Sequence, residues 1–262
     1  MKLIFSILIS LLLVGCKSEK IPVYNSNGGS TNRTVNLLMS VDETKQRETI
    51  LILNGCNGPS ASHYREWANT LNVWGYNAII VDTFSEKGYT DICNRRDGTL
   101  LNIAYSSVTD VESAGKWVQQ QKWSNGKIAV IGFSIGGITS LLLSSRTSYD
   151  IDRKNIFSSI IAFYPTCVEG IENRKVNVPL QIHIGEKDEW ASPRQCLKLS
   201  SSKNFKDSSF IFYENAHHGF DMKESGSVSC VWGDRCVFGH EPNANFKSRK
   251  STKEFLESMF KE

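Results

Sequence analysis

The stretch KIAVIGFSIGGITSLLL, residues 127–143, decides the fold. KIAVIG is a continuous apolar run, as expected of a strand buried on both faces. From Gly136 onward the pattern is helical, and Gly132-Phe133-Ser134-Ile135-Gly136 stands at the junction. A serine in a glycine-rich turn can be no more than a small residue that fits. A strand–turn–helix context is what a nucleophile elbow requires, because the sharp turn exposes the hydroxyl and the glycines let strand and helix approach. Whether Ser134 is a nucleophile depends on its partners.

Working outward, short apolar runs alternate with longer helical patterns. TVNLLMSV, ETILILNG, YNAIIVD, SSIIAFYP, PLQIHIG and SFIFYEN read as further strands. SHYREWANTLNVWG places Trp67, Leu71 and Trp74 at helical spacing before Gly75, and TDVESAGKWVQQQKW and STKEFLESMF read as helices. Strands joined by helices need crossover connections, so the expected class is α/β, with a mostly parallel central sheet and helices on both faces. Ligands of such sheets bind beyond the carboxyl ends of the strands.

The chain has 262 residues, 40% hydrophobic and 22% charged, enough for one large domain and few for two separate cores. A net charge of +3 with no long basic run sets nucleic acid aside. The start, MKLIFSILISLLLVGC, has a basic n-region at Lys2 and an apolar stretch too short to span a bilayer. Leu13-Val14-Gly15-Cys16 resembles the bacterial lipobox. That resemblance implies a signal peptide over 1–15, cleavage before Cys16, lipid on its sulfur, and anchoring in the bacterial cell envelope without a transmembrane helix. Residues 16–33, polar and containing Gly-Gly-Ser, read as a flexible tether, and 34–262 as the folded domain. Seven cysteines is an odd count, and a lipidated Cys16 leaves six for disulfides in an oxidising compartment.

A serine hydroxyl needs a base, and a base needs an orienting acid. In a strand–elbow–helix sheet the order is serine, acid, histidine. PLQIHIGEKDEW ends a strand and offers Asp188; FIFYENAHHGFD ends the next and offers His217 and His218. An aspartate after a strand often caps a helix. Here Ser192-Pro193 reads as the cap and first-turn proline, which leaves Asp188 free to orient a histidine.

Gly-Phe-Ser-Ile-Gly-Gly, then Gly-x-x-Asp, then YENAHHGF resembles the dienelactone hydrolase family of α/β-hydrolases, from about Thr49 to the C-terminus. In that family the catalytic histidine directly precedes Gly-Phe, which selects His218 and leaves His217 as a neighbour in the pocket. The resemblance implies a serine hydrolase with Ser134, Asp188 and His218 as its triad. The name-giving enzymes carry cysteine at the elbow, so activity on dienelactones is not expected of Ser134. Nor does VDTFSEKG hold an arginine for a substrate carboxylate, although Lys87 lies there. A carboxylic-ester hydrolase working through an acyl-enzyme is the expected activity, on a small-molecule ester, with no metal or organic cofactor. The backbone N–H of Ile135 and that of Cys56, or alternatively Asn57, would form the oxyanion hole.

Within that fold Cys56 and Cys93 fall in neighbouring loops, as do Cys167 and Cys196, and Cys230 and Cys236 flank a short segment. The expected disulfides are therefore Cys56–Cys93, Cys167–Cys196 and Cys230–Cys236. Trp190, beside Asp188, and Trp232, in the long segment after His218, are candidate pocket walls. Two other functions fit less well. A prolyl-oligopeptidase-type peptidase would carry a propeller that this length cannot hold. A non-catalytic envelope binding protein with this fold would be expected to lack a triad member.

Overall fold

The computed structural model describes residues 16–261 except 26–27, 96, 147–152 and 231–232; of residues 16, 228–230, 233 and 234 only the backbone is described. The signal-peptide reading of 1–15 lies outside the described residues. Eight strands form the central sheet: β1 (Cys16–Tyr24), β2 (Ser30–Ser40), β3 (Arg47–Leu53), β4 (Asn77–Asp82), β5 (Ser124–Phe133), β7 (Ser159–Phe163), β9 (Leu180–Gly185) and β10 (Ser209–Tyr213). The short strands β6 (Ser145–Arg146) and β8 (Lys175–Val176) pair beside it, and β11 (Ser225–Cys230) with β12 (Gly233–Gly239) makes a hairpin. The sheet order is β1-β2-β4-β3-β5-β7-β9-β10, parallel throughout except that β2 runs antiparallel to both of its neighbours.

Five α-helices lie among the described residues: α1 (Ser62–Val73), α2 (Thr99–Gln119), α3 (Ile135–Ser144), α4 (Pro193–Ser200) and α5 (Pro242–Lys261). Alternation along each strand divides the core in two. Leu51, Leu53, Val81 and Val130 face one side with residues of α2, α3 and α4. Ile50, Ile52, Ile80 and Ile131 face the other, with Trp67 and Leu71 of α1 and Leu256 and Phe260 of α5. Each fully buried side chain of this size contributes roughly 1.5–3 kcal/mol, and burial on both faces is why these strands lack a polar register. α3 is buried over its whole length, which places the helix after Ser134 at the centre of the molecule.

The flexible tether expected over 16–33 is corrected by the structure. Residues 16–24 are β1, the outer strand of the sheet, and β2 begins already at Ser30. Ile21 and Val23 are buried, and the Tyr24 amide donates to Ser113 Oγ on α2. An edge strand packed on one side needs only alternate apolar residues, so its polar composition concealed it. α2 and α5 also begin earlier than their apolar periods suggested, at Thr99 and Pro242.

Candidate active site

Phe133 ends β5 and Ser134 turns the chain into α3 with φ 55° and ψ −109°, a backbone that side-chain-bearing residues seldom adopt. Close approach on both sides makes this turn possible. A methyl group on Gly132 would stand 2.1 Å from the Gly136 carbonyl oxygen, and one on Gly136 would stand 2.6 Å from the Leu53 carbonyl oxygen. The Ser134 amide is spent on the Phe163 carbonyl at 3.0 Å, which ties the turn to β7.

His218, in the loop after β10, brings Nε2 to 3.0 Å from Ser134 Oγ. Its Nδ1 lies 2.7 Å from Asp188 Oδ2. An ionised carboxylate only accepts, so the ring proton sits on Nδ1 and Nε2 is left to accept from the serine hydroxyl. Asp188 is buried, and its other oxygen, Oδ1, accepts the amides of Trp190 and Ala191 at 2.8 Å each. Ser192 takes the N-cap position of α4 with Pro193 at its first turn, as expected, and Asp188 orients His218, but the division of labour between them is less clean than expected. Ser192 precedes α4 but makes no side-chain capping bond, and Asp188 holds its own turn with one oxygen while holding His218 with the other.

Ring packing fixes the imidazole further. Trp190 stacks on His218 with centroids 5.1 Å apart and planes within 12°, and Tyr164 lies against it at 4.7 Å. The hairpin of β11 and β12 leans on the same loop: the Gly239 amide donates to the His218 carbonyl at 2.8 Å, and Phe238 meets Trp190 edge-on.

The loop after β3 crosses beside the serine. A methyl on Gly55 would stand 3.2 Å from Ser134 Cβ. The Gly55 amide is used by the Tyr64 hydroxyl at 2.7 Å, and that hydroxyl donates in turn to Asn57 Oδ1. Among the described residues the Cys56 and Ile135 amides meet no acceptor. Ile135 opens α3, where first-turn N–H groups have no intrahelical partner. Cys56 is held by its carbonyl, which accepts the Ile92 amide, and by a disulfide to Cys93. Cys167 and Cys196 form a second disulfide. Cys236 is also disulfide-bonded, but the Cys230 side chain, and with it the expected Cys230–Cys236 pairing, lies outside the described residues.

A cavity of about 440 Å³ opens over Ser134. Aromatic rings of Phe133, Tyr164, Trp190 and Phe238 form part of its walls beside small and polar residues, and Asp91 and Glu224 stand among the lining residues. No lysine or arginine lines it among the described residues. Trp190 is thus a wall, as its position beside Asp188 suggested. His217 is not: His218 takes the inward place on this turn, and its neighbour contributes nothing to the lining. Trp232 lies outside the described residues. Lys87 stands outside the cavity, where its ammonium donates to the Thr83 carbonyl, Ser107 Oγ and Asp110. Burial pushes its pKa down while Asp110 draws it up. Among the described residues, no cluster of three or more His, Cys, Asp or Glu is placed to hold a metal ion.

Sequence reasoning missed a second polar group on the wall. His63, in the first turn of α1, is buried and holds Nε2 at 3.4 Å from Asp221 Oδ2 and 3.5 Å from the Tyr164 hydroxyl. Burial lowers the His63 pKa against the opposing pull of Asp221. Asp221 also accepts the Trp67 indole N–H at 2.7 Å. A histidine opening an otherwise apolar helix face was the available signal.

The sequence matches the profile described as the dienelactone hydrolase family over residues 36–260. Carboxymethylenebutenolidase of Pseudomonas putida is 23% identical over 177 residues, covering 62% of this chain and 70% of that enzyme. Among solved structures, the dienelactone hydrolase-like promiscuous phosphotriesterase P91 from metagenomic libraries superposes with a TM-score of 0.66 at 16% identity, covering 94% of this chain and 99% of its own. The propionate-bound esterase Est2 of Thermogutta terrifontis superposes with a TM-score of 0.62 at 17% identity, covering 94% of each chain. These likenesses place the architecture among the α/β-hydrolases.

Proposed function

The chain belongs to the dienelactone hydrolase family, and from that premise we propose that it is a serine-dependent carboxylic-ester hydrolase working through an acyl-enzyme on Ser134. One observation carries the reading: the unbroken contact from Ser134 Oγ through His218 to Asp188, at 3.0 and 2.7 Å. Ser134 Oγ attacks the ester carbonyl while His218 Nε2 takes its proton. The negative charge that develops on the carbonyl oxygen is met by the Ile135 and Cys56 amides, held in place before reaction; one such donor is typically worth about 3 kcal/mol. Collapse breaks the bond to the alcohol, which leaves with the proton from His218. Water then attacks the acyl-enzyme, giving its proton to His218, and the acid departs as Ser134 is reprotonated. Asp188 keeps the imidazole in the correct tautomer and stabilises its cation.

The substrate is an uncharged ester. Aromatic rings form part of the walls, the acids on the lining repel a carboxylate, and Lys87, the cation nearest in sequence to such a role, is occupied by Asp110. Dienelactone-like substrates bearing a carboxylate are therefore poor candidates. Cys16 carries lipid and fixes the enzyme in the cell envelope; the lipobox-like Leu13-Val14-Gly15-Cys16 supports this part of the proposal.

The test is covalent labelling. Treated with a fluorophosphonate, the folded protein should gain one adduct, on Ser134, and His218→Ala should gain none. An unlabelled but folded wild type would favour a non-catalytic binding protein. Labelling accompanied by cleavage of peptides and not of simple esters would favour the peptidase.

A further inference from the structure

The direction of β1 places Cys16 far from the active site. Cys16 pairs with Ser40, Ser40 with Ala78, Ala78 with Ile50 and Ile50 with Ala129. This row crosses β4 and, through Ala129 paired with Ser159, β7 at their amino ends, and crosses β3 and β5 at mid-strand. At roughly 3.3 Å per residue, Ala129 is about 16 Å short of Ser134 along β5. Residue 16 and the pocket therefore occupy opposite ends of the sheet.

The two ends also differ in charge. The connections entering the parallel strands expose Lys45, Lys122, Lys154, Lys175, Lys203 and Lys206. Contacts join these connections into one surface. Gln46 Nε2 donates to the Lys122 carbonyl, Gln119 Nε2 to the Asn155 carbonyl, and the Val176 amide to the Asn204 carbonyl. Lys17, next to Cys16, reaches the same surface through Glu43 at 3.7 Å. Among the described residues the acids of this end are largely matched: Asp42 pairs with Arg47, Glu43 with Lys17 and Glu257 with Lys253, leaving Glu48 near Tyr76 and Asp207 beside Lys206. The pocket end exposes Asp91, Asp97, Glu169, Glu186, Glu189, Glu214 and Glu224 against Arg95, Lys187, Arg194, Lys223 and Arg235, and two of these bases are matched, Arg95 by Asp97 and Lys223 by Glu66.

We propose that the amino-terminal end of the sheet is a docking face for an anionic lipid bilayer, which holds the Ser134 pocket turned away from the membrane. The face is polar and lysine-rich, as suits attraction to headgroups, and among the described residues no helix is long and apolar enough to cross a membrane. A lysine at an anionic surface favours binding by about fivefold, and acids at the far end are repelled by it. Attraction and repulsion therefore select the same orientation. The surface stands whether or not Cys16 carries lipid, and lipid at residue 16 would reinforce it.

The experiment uses residues 16–262 carrying Cys16→Ser, so that neither lipid at residue 16 nor the apolar segment before it contributes, sedimented with vesicles of phosphatidylcholine alone or mixed with phosphatidylglycerol. Binding is expected only to the phosphatidylglycerol vesicles and should be released by salt. Lys122→Gln, Lys175→Gln and Lys203→Gln should each weaken it about fivefold, and Glu214→Gln, at the far end, should not weaken it. Equal binding to both vesicles, no binding, or binding indifferent to the three lysines would overturn the docking face. Orientation is read separately on vesicle-bound protein with a quencher in the bilayer. A fluorophore attached at Lys122→Cys should be quenched and one at Glu214→Cys should not; the reverse order would overturn the orientation.

Discussion

The indole of Trp190 lies parallel to the imidazole of His218, 5.1 Å away and within 12°. An aromatic face at that distance attracts a cation, and in the proposed mechanism His218 becomes one when it takes the serine proton. The contact therefore strengthens as the reaction proceeds. Trp190→Leu is expected to lower kcat/KM for an uncharged ester about tenfold, with Trp190→Phe closer to wild type. Equal losses in both variants would make the residue only a wall.

Asp188 divides its work between two oxygens, so two substitutions should separate the tasks. Asp188→Asn keeps an oxygen for the Trp190 and Ala191 amides but loses the carboxylate facing His218. It should cut kcat by up to about ten-thousandfold with little change in Tm. Asp188→Ala removes both functions and should also lower Tm by several degrees, in keeping with about 1–3 kcal/mol for unmade buried hydrogen bonds. Calorimetry beside ester kinetics distinguishes the two.

Tyr64 holds the loop proposed to supply an oxyanion donor, through the Gly55 amide and Asn57. Tyr64→Phe keeps the buried ring and deletes the hydroxyl. Turnover should fall about tenfold with KM nearly unchanged, because the loss is felt where the oxyanion forms. A rise in KM alone would place Tyr64 in substrate binding instead.

Acid should weaken the fold through His183. It is fully buried between Tyr213 and Gln181, and burial pushes its pKa down to about 3. The unfolded chain binds this proton near pH 6.5 and the folded chain does not, so stability is complete above about 6.5 and falls as pH drops toward 3. The slope from this one group is roughly 1 kcal/mol per pH unit. Urea denaturation of wild type and His183→Gln between pH 7 and pH 4 should show the wild type losing more stability; parallel curves would mean that His183 is protonated in the folded state.

Much of this was legible in the chain. The central strands β3, β4, β5, β7 and β9 are mostly apolar because both faces are covered, and Ser134 and Asp188 fall at the carboxyl ends of β5 and β9, with His218 after β10. Elements with one covered face were harder to read. α5 buries Ala244, Ser248, Thr252, Leu256 and Phe260, a stripe that begins with small and polar residues and becomes apolar only in its last turns. The hairpin of β11 and β12 read as a long connection. Tyr64 and Asp221 were invisible, and His63 showed only as a polar residue on an apolar face, for another reason: their roles arise where α1 and the loop after β10 meet the pocket, and no local pattern encodes that meeting.

The pairing of β1 with β2 has a practical consequence for handling the protein. A truncation that starts at Thr34, as the polar composition of 16–33 invites, would strip Ile21 and Val23 from the core and leave a long, freshly bared edge on β2. Bared edges pair with other chains, so such a product should precipitate or dimerise. A soluble catalytic fragment must retain the strand that begins at residue 16. For the same reason, on the proposed anchor at Cys16, a protease could not release the chain by cutting within 16–24 without also damaging the body that it set free.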